Sequence, residues 1–238
     1  MNASCHCGYC NNDLCVKKVP IFSSLSVEEV GKISELIMHR EYKKGELLMH
    51  EGEASDYIVI MHEGSAKAFK YTSDGREQIL YVFAEGDFFG EQNLLTDRTA
   101  TYTVEALQTV KTCMLSKSRF QKLLYQYPDI AVKIITELGE RMARLENAMQ
   151  GMGVRNVDNR IGGILLEFSE KYGSQEKEGT LIQLPLSREG IANYLGVARE
   201  TVSRKLGQLE SDGIIKSINN KSILILNRDA LVQIAGIN

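Results

Sequence analysis

The stretch PLSREGIANYLGVARETVSRKLG, residues 185–207, has the pattern of two helices separated by a tight turn. Ser187 can cap the first helix, and Gly196 interrupts the pattern where the turn is needed. The second helix is expected from about Ala198 to Ser211. Apolar residues recur at helical spacing and give each helix a face that can be buried: Ile191, Leu195, Val202, Leu206 and Leu209.

The second helix, together with two short strands expected around Asn219-Asn220, predicts a winged helix-turn-helix. A helix of this kind enters the major groove by its first turns, where arginine can fork onto guanine and glutamate can accept from cytosine. Lys205 and Lys216 are expected to contact phosphates. The alternative is a solvated face on which Glu200 and Arg204 form an ordinary ion pair. The candidate DNA-binding residues are Arg199, Glu200, Ser203, Arg204 and Lys205.

Upstream of this segment, from Lys43 to Leu115, short runs rich in β-branched and aromatic residues alternate with glycine. This spacing predicts a compact antiparallel β-roll. Ser73-Asp74-Gly75 has the composition of a hairpin tip. The chain is therefore expected to be an α+β protein with a β-roll at its N-terminal end and the winged helix-turn-helix at its C-terminal end. Glycines fall where the strands must turn: Gly45, Gly52, Gly64, Gly75, Gly86 and Gly90.

A long helix is predicted between these two parts, from Asp129 past Met152, after a shorter helix that Ser116 can cap. Residues that recur at alternating steps of four and three along the long helix are typical of a coiled coil and predict a dimer interface. The alternative is one helix that packs on its own β-roll. The predicted interface consists of Ile134, Leu138, Arg141, Leu145, Ala148 and Met152, flanked by Met142 and Met149.

The rest of the chain between the long helix and the winged segment predicts one more helix, from about Asp158 to Tyr172. The polar run GSQEKEG at 173–179 carries no core signal and is expected to be a loop. Four segments result: a cysteine-rich segment at 1–20, the β-roll at 21–127, the dimerisation helix at 128–153 and the winged domain at 154–238.

Four of the five cysteines lie within the first fifteen residues, and Cys113 is the fifth. Thiolates two to five residues apart can converge on one zinc ion or one iron–sulfur cluster, whereas a disulfide between near neighbours is usually strained. No apolar run of signal-peptide length precedes them, so a cytoplasmic chain with reduced thiols is expected. The clustered cysteines are Cys5, Cys7, Cys10 and Cys15.

Composition limits the function further. The chain has 238 residues and a formal charge of −3, so it is expected to bind DNA through a local patch and not as a uniformly basic protein. No apolar run is long enough to cross a membrane. No catalytic triad, Walker loop or dinucleotide fingerprint stands in a suitable context, so the chain is not expected to be an enzyme.

Taken together, these features resemble the family of the cyclic AMP receptor protein (CRP) and the fumarate and nitrate reduction regulator (FNR). The resemblance rests on FAEGDFFGE at 83–91, on the long helix and on REGIANYLGVARETVSRKLG at 188–207, and it covers nearly all of the chain. It implies a homodimer that binds an inverted-repeat DNA site, contacts RNA polymerase and activates anaerobic genes. It also implies that Glu200 and Arg204 read one G·C pair in a TGA core of each half-site.

The N-terminal HCGYC and LC are similar to the FNR branch, where three N-terminal cysteines and one barrel cysteine hold a four-iron four-sulfur cluster. Loss of that cluster to oxygen switches off DNA binding in the branch. The spacing here departs from it, because the four residues between Cys10 and Cys15 are one fewer than in the best-known relative. By the resemblance the ligands are Cys7, Cys10, Cys15 and Cys113, with Cys5 as a spare.

The residues alone leave two alternatives to the cluster. The first is a closed, structural zinc site formed by the four N-terminal cysteines, with or without His6. In that case Cys113 would be a small core residue, as lone cysteines usually are. The second is a chain that responds to a small effector and carries structural zinc or redox-active thiols in its N-terminal segment.

The effector alternative comes from FGEQNLLTDRTAT at 89–101, which resembles the phosphate cassette of cyclic-nucleotide barrels. There Glu91 would bind the ribose, and Arg98 with Thr99 would bind the cyclic phosphate. The interval between Glu91 and Arg98 is shorter than in CRP. An ion pair between these two residues that closes the roll is the other explanation.

The resemblance also bears on the dimer. In the best-known FNR an aspartate of the dimer helix repels its mate, and that place falls at Leu145 in this chain. An apolar residue there removes the repulsion, so the dimer is expected to persist without the cluster.

Overall fold

The computed structural model describes residue 26 and residues 36–91, 99–154 and 156–236. At positions 137, 141, 144, 145 and 147–154 the description covers the backbone alone. The chain divides into two compact units, one from the N-terminal side up to Met142 without 71–80, and one with 71–80 and the residues from Ala143. The predicted segment 1–20 lies outside the described residues.

The predicted antiparallel β-roll is confirmed. In the described part of the roll, eight strands form two four-stranded sheets, ordered β1-β8-β3-β6 and β2-β7-β4-β5, in which neighbouring strands often come from distant parts of the sequence. The strands are β1 (Met38–Tyr42), β2 (Leu47–Met49), β3 (Tyr57–Glu63), β4 (Ala66–Tyr71), β5 (Glu77–Phe83), β6 (Phe88–Phe89), β7 (Thr103–Ala106) and β8 (Val110–Ser116).

The six glycines predicted to turn the strands all have φ between 80° and 90°, in the left-handed region. At Gly90 the backbone also passes close to that of Tyr57, since a Cβ there would lie 2.6 Å from the Tyr57 carbonyl oxygen. Gly75, at the hairpin tip between β4 and β5, has φ of 80° and nothing within 4 Å of a Cβ. Both positions therefore require a left-handed backbone conformation, but only Gly90 lacks the space for a Cβ atom.

We expect Gly90→Ala to destabilise the roll by about 3 kcal/mol and Gly75→Ala by about 1 kcal/mol, because both force alanine into a left-handed conformation and Gly90 adds a clash. Thermal unfolding of the two variants beside the wild-type chain measures the difference. Equal losses would show that the close approach to Tyr57 carries no cost.

Two helices cover one face of the β1-β8-β3 sheet. Helix α1 (Lys117–Gln126) buries Phe120 and Leu123, and helix α2 (Pro128–Val154) buries Ile130 and Ile134 in the same cluster. Pro128 suits the first position of a helix, where a backbone N–H has no partner within the helix. The sheet contributes the other half of this core through Ile58, Ile60, Phe88, Cys113 and Leu115, and Ile37 joins it from just before β1.

The predicted dimer interface is corrected at its first two positions. Ile134 is 3% exposed inside its own β-roll, and Leu138 packs against the same core. These two residues therefore follow the alternative, a helix packed on its own roll. Met142 is 61% exposed. The side chains of the remaining predicted members, Arg141, Leu145, Ala148, Met149 and Met152, lie outside the described set.

The second unit contains the predicted winged helix-turn-helix and a four-stranded sheet ordered β11-β12-β10-β9. The expected loop at GSQEKEG is corrected, because β9, the two-residue turn at 177–178 and the first residue of β10 occupy it. All four β9 residues are exposed, so this edge strand is held by its backbone ladder to β10 and leaves no hydrophobic signal in the sequence. The elements are α3 (Val157–Tyr172), β9 (Gly173–Glu176), β10 (Gly179–Gln183), α4 (Arg188–Leu195), α5 (Arg199–Ser211), β11 (Ile215–Asn219), β12 (Ser222–Ile225) and α6 (Arg228–Ala235).

Across the described ranges, none of the helices combines the length and the apolar character that a bilayer span requires.

Candidate DNA-binding surface and sensor site

Local interactions fix the turn between α4 and α5. The Ser187 side-chain oxygen accepts from the Gly190 N–H at 3.1 Å, which caps α4 as predicted. Gly196 ends α4 with φ of 64° and ψ of 40°, and its N–H donates to the Ala192 carbonyl. Helix α5 begins three residues later, at Arg199, and its apolar stripe enters the core of the unit.

The outer face of α5 presents the predicted base-reading residues to solvent. Arg199, Glu200 and Arg204 are exposed, and Ser203 is half-buried. Among the described residues, none of these four side chains forms a hydrogen bond or an ion pair, so the alternative Glu200–Arg204 pair is not formed. Their donors and acceptors are therefore available to base edges without first breaking a contact in the protein.

Lys205 differs from its neighbours on α5. Its Nζ lies 2.7 Å from Asp158 Oδ1 and 2.8 Å from Asp158 Oδ2, and its side chain is 21% exposed. Its ammonium therefore already has a carboxylate partner in α3, and the predicted contact of Lys205 with phosphate stays a prediction. Sequence reasoning missed this pair because its two residues are far apart in the chain. Lys216 on β11 is exposed, and its predicted phosphate contact stays a prediction.

The wing is attached to the end of α5. Gly213 has φ of 68° and turns the chain, and the Ile214 N–H donates to the Leu209 carbonyl at 3.0 Å. The Glu210 carboxylate then accepts from the Ser217 N–H on β11 at 2.9 Å. These contacts fix β11 and β12 relative to the helix that carries the base-reading residues.

Cys113 lies in the middle of β8 and is 2% exposed. It stands opposite His39 on β1 and Ile60 on β3, and its Sγ is 3.6 Å from the His39 Nδ1. The pKa of His39 is lowered below its usual value, mainly by burial and to a smaller extent by the charge of His62. The ring beside the thiol is therefore neutral near neutral pH.

The donor set of a metal site can be tested in part. Cys5, Cys7, Cys10 and Cys15 lie outside the described residues, and no three metal-ligating side chains converge within the part that is described. Cys113 supplies one soft sulfur donor in a sheltered position, which suits an iron–sulfur cluster or zinc. The other donors would have to come from the N-terminal segment.

The predicted effector residues are placed only in part. Glu91 is 2% exposed and Thr99 is exposed, while Arg98 lies outside the described residues. The effector site therefore stays a prediction.

Sequence reasoning missed two residues of a second apolar face of α2, Val132 and Ile135, and had placed the third, Met142, at the flank of the predicted dimer interface. Val132 and Ile135 are 62% and 68% exposed, and Met142 follows on the same side with Gly139 between them. A Cβ at Gly139 would meet nothing within 4 Å, so this face is open. The signal was present as a second set of steps of three and four, offset from the set that was assigned to the dimer.

Comparison with known proteins identifies the class. The cyclic nucleotide-binding domain model matches residues 39–127, and the Crp-like helix-turn-helix domain model matches residues 159–234. The probable transcriptional regulator flp of Lacticaseibacillus casei is 30% identical over 221 residues, which cover 93% of this chain and 98% of that protein. The chain belongs to the CRP/FNR family of DNA-binding transcription regulators.

Two further relatives cover most of the chain. The transcriptional activator protein FnrA of Stutzerimonas stutzeri is 26% identical over 233 residues, covering 97% of this chain and 93% of that protein. The solved structure of FixK2 from Bradyrhizobium japonicum superposes with a TM-score of 0.75 at 27% identity, covering 83% of this chain and 96% of that one. The similarity is therefore not confined to one of the two matched domains.

Proposed function

We propose that this regulator is of the FNR type. It binds an inverted-repeat DNA site as a homodimer, contacts RNA polymerase, and responds to oxygen or redox state through a four-iron four-sulfur cluster. The ligands are Cys7, Cys10, Cys15 and Cys113, with Cys5 as the spare. The observation that carries the proposal is the position of Cys113, a buried thiol in the sheet at the boundary between the strands and the helices that cover them.

That position gives the sensor a route to the long helix. Cys113 belongs to the same packed cluster as Ile130 and Ile134 of α2. Interiors are packed densely, so a change in the volume or position of one member is felt by its neighbours. When bound, the cluster supplies oxygen-labile iron–sulfur chemistry. A displacement of Cys113 would then change the packing at the base of α2, the helix that also carries the exposed apolar face of Val132, Ile135 and Met142.

The DNA-binding half of the proposal rests on the face of α5. The exposed Arg199, Glu200 and Arg204 have the chemistry to read guanine and cytosine edges. Glu200 and Arg204 together read one G·C pair of a TGA core in each half-site. Exposed Lys216 on the wing contacts phosphate and adds affinity without sequence preference.

The visible absorption spectrum of protein purified without oxygen tests the cluster. We expect a broad band at the blue end that air bleaches, accompanied by iron and acid-labile sulfide. Cys113→Ser is expected to lose most of the band, because it removes one of four ligands, whereas Cys5→Ser retains it. A colourless protein that contains zinc would overturn the cluster and support the structural zinc site instead.

A second candidate function is a response to a cyclic nucleotide or another small effector, with zinc or redox-active thiols in the N-terminal segment. The match of the cyclic nucleotide-binding domain model over 39–127 and the burial of Glu91 favour it. Titration calorimetry with cyclic AMP, on wild type and Glu91→Gln, tests it. Heat of binding that Glu91→Gln removes would support this function, and no heat with either protein would eliminate cyclic AMP.

A further inference from the structure

Three consecutive residues in the first turn of α3 each bond a different element of the winged domain. Asp158 pairs with Lys205 of α5 at 2.7 Å. The Asn159 side chain donates to the Ile234 carbonyl of α6 at 2.9 Å. The Arg160 Nη1 donates to the Leu195 carbonyl at the end of α4, also at 2.7 Å. This one turn therefore holds α4, α5 and α6 together.

We propose that the Asp158–Lys205 ion pair positions the recognition helix α5 for base reading, and that Lys205 is a positioning residue and not a phosphate contact. The proposal rests on DNA binding by α5, which the family membership supplies, and it does not depend on the cluster. Nothing in the arrangement requires Lys205 to leave Asp158 when DNA is bound.

The geometry of α5 explains why one pair has this effect. The buried stripe of Val202, Leu206 and Leu209 fixes one face of the helix to the core, and Lys205 lies beside that stripe. Successive residues are about 100° apart around a helix, so a roll that moves Lys205 moves the adjacent Arg204 by the same angle. A charged contact beside the stripe therefore sets the angle at which Arg204 faces the groove.

The partial burial of both groups makes this pair stronger than an exposed one. The side chains of Lys205 and Asp158 are 21% and 34% exposed, and Asn156 Nδ2 also donates to Asp158 Oδ2 at 3.2 Å. Fully exposed pairs contribute little, because water and salt screen them. Here the carboxylate is held in place by a neighbour before the lysine reaches it, so less side-chain entropy is lost in forming the pair.

The location of Asp158 also links the pair to the long helix. Helix α2 ends at Val154, and α3 begins at Val157. A change in the direction of the last turn of α2 reaches Asp158 within four residues. The pair then passes that change to α5 directly, without relying on the apolar core of the domain.

The test is a double-mutant cycle on the full-length protein in its DNA-binding state. Fluorescence anisotropy measures affinity for a duplex that the wild-type protein selects from a randomised pool, and for a scrambled duplex, over a range of salt. The variants are Lys205→Gln, Asp158→Asn, the double variant, and the exchange of charges, Asp158→Lys with Lys205→Asp. Lys216→Gln serves as the matched control for a lysine that contacts phosphate.

Each single substitution is expected to weaken binding to the selected duplex by about tenfold, leave the scrambled duplex unchanged and leave the salt slope unchanged. The double variant is no weaker than either single one, and the charge exchange recovers affinity. Lys216→Gln instead weakens both duplexes alike and lowers the salt slope by about one.

The opposite pattern overturns the proposal. In that case Asp158→Asn does not change DNA affinity, and Lys205→Gln weakens binding to both duplexes equally and lowers the salt slope by about one. Circular dichroism melts of each variant check that the domain is folded. If the single variants unfold, the charge-exchange variant is the test. Weak binding to the selected duplex by this variant in its folded state refutes the positioning role of the ion pair. A wild-type protein that selects no duplex would refute DNA binding itself, which is a separate result.

Discussion

We expect the replacement of Arg204 by alanine to lower affinity for the matched site by about 1–3 kcal/mol and to relax discrimination at one G·C pair in each half-site. Arg204 is exposed on α5 and makes no hydrogen bond or ion pair among the described residues. Its guanidinium is therefore free to fork onto guanine, and the substitution removes that contact without uncovering a buried partner in the protein.

Anisotropy titrations against the matched duplex, and against duplexes with each other base pair at the core G·C, measure this effect. Arg228→Ala is the control, because Arg228 is an exposed arginine on α6, 57% exposed and paired loosely with Glu170 at 3.7 Å. It is expected to leave affinity unchanged. A uniform loss across unrelated sequences would show that Arg204 contacts phosphate alone.

The helix-turn-helix was predictable because its signals are local. Ser187 caps α4 within three residues, and Gly196 supplies the left-handed residue that ends it. The turn glycines of the β-roll are local in the same sense, since each needs a positive φ that other residues avoid. Signals of this kind can be read without knowing what the segment packs against.

The features that sequence reasoning missed depend on distant partners. The Asp158–Lys205 pair joins residues 47 positions apart, and nothing near either residue indicates the other. The hairpin of β9 and β10 was missed because an exposed edge strand has no alternation of apolar and polar residues. Cys113 was placed by resemblance, and its contact with His39 required the register of β1 against β8.

The long helix shows why periodicity alone was insufficient. Its first half carries two apolar faces, one with Ile134 and Leu138 and one with Val132 and Ile135. Both faces repeat at steps of three and four, so the pattern predicts a buried seam without saying what covers it. Only the position of the β-roll decides that the first face belongs to the monomer core. We expect the second face, which the β-roll leaves exposed, to contact a partner subunit.

Placing a charge on that second face is the most disruptive change that we expect for assembly. Ile135→Glu puts a carboxylate from each subunit into the dimer contact, where an unpaired charge costs about 3–5 kcal/mol. The dimer dissociation constant should therefore rise by roughly 100-fold or more. Ile135 is 68% exposed, so the fold of the single subunit is not expected to suffer. Tyr125→Glu is the control, because Tyr125 is 89% exposed on α1 and outside this face.

Sedimentation of cluster-free protein at micromolar concentration measures the outcome and also tests how the signal travels. By the resemblance Leu145 replaces a repelling aspartate, so cluster-free wild type is expected to be a dimer, and Ile135→Glu a monomer. If the protein is a dimer with and without the cluster, and only its DNA affinity depends on the cluster, then the cluster shifts the dimer between two conformations and does not control dimerisation. A wild-type monomer that dimerises only when the cluster is assembled without oxygen would contradict this, and would make dimerisation itself the switch.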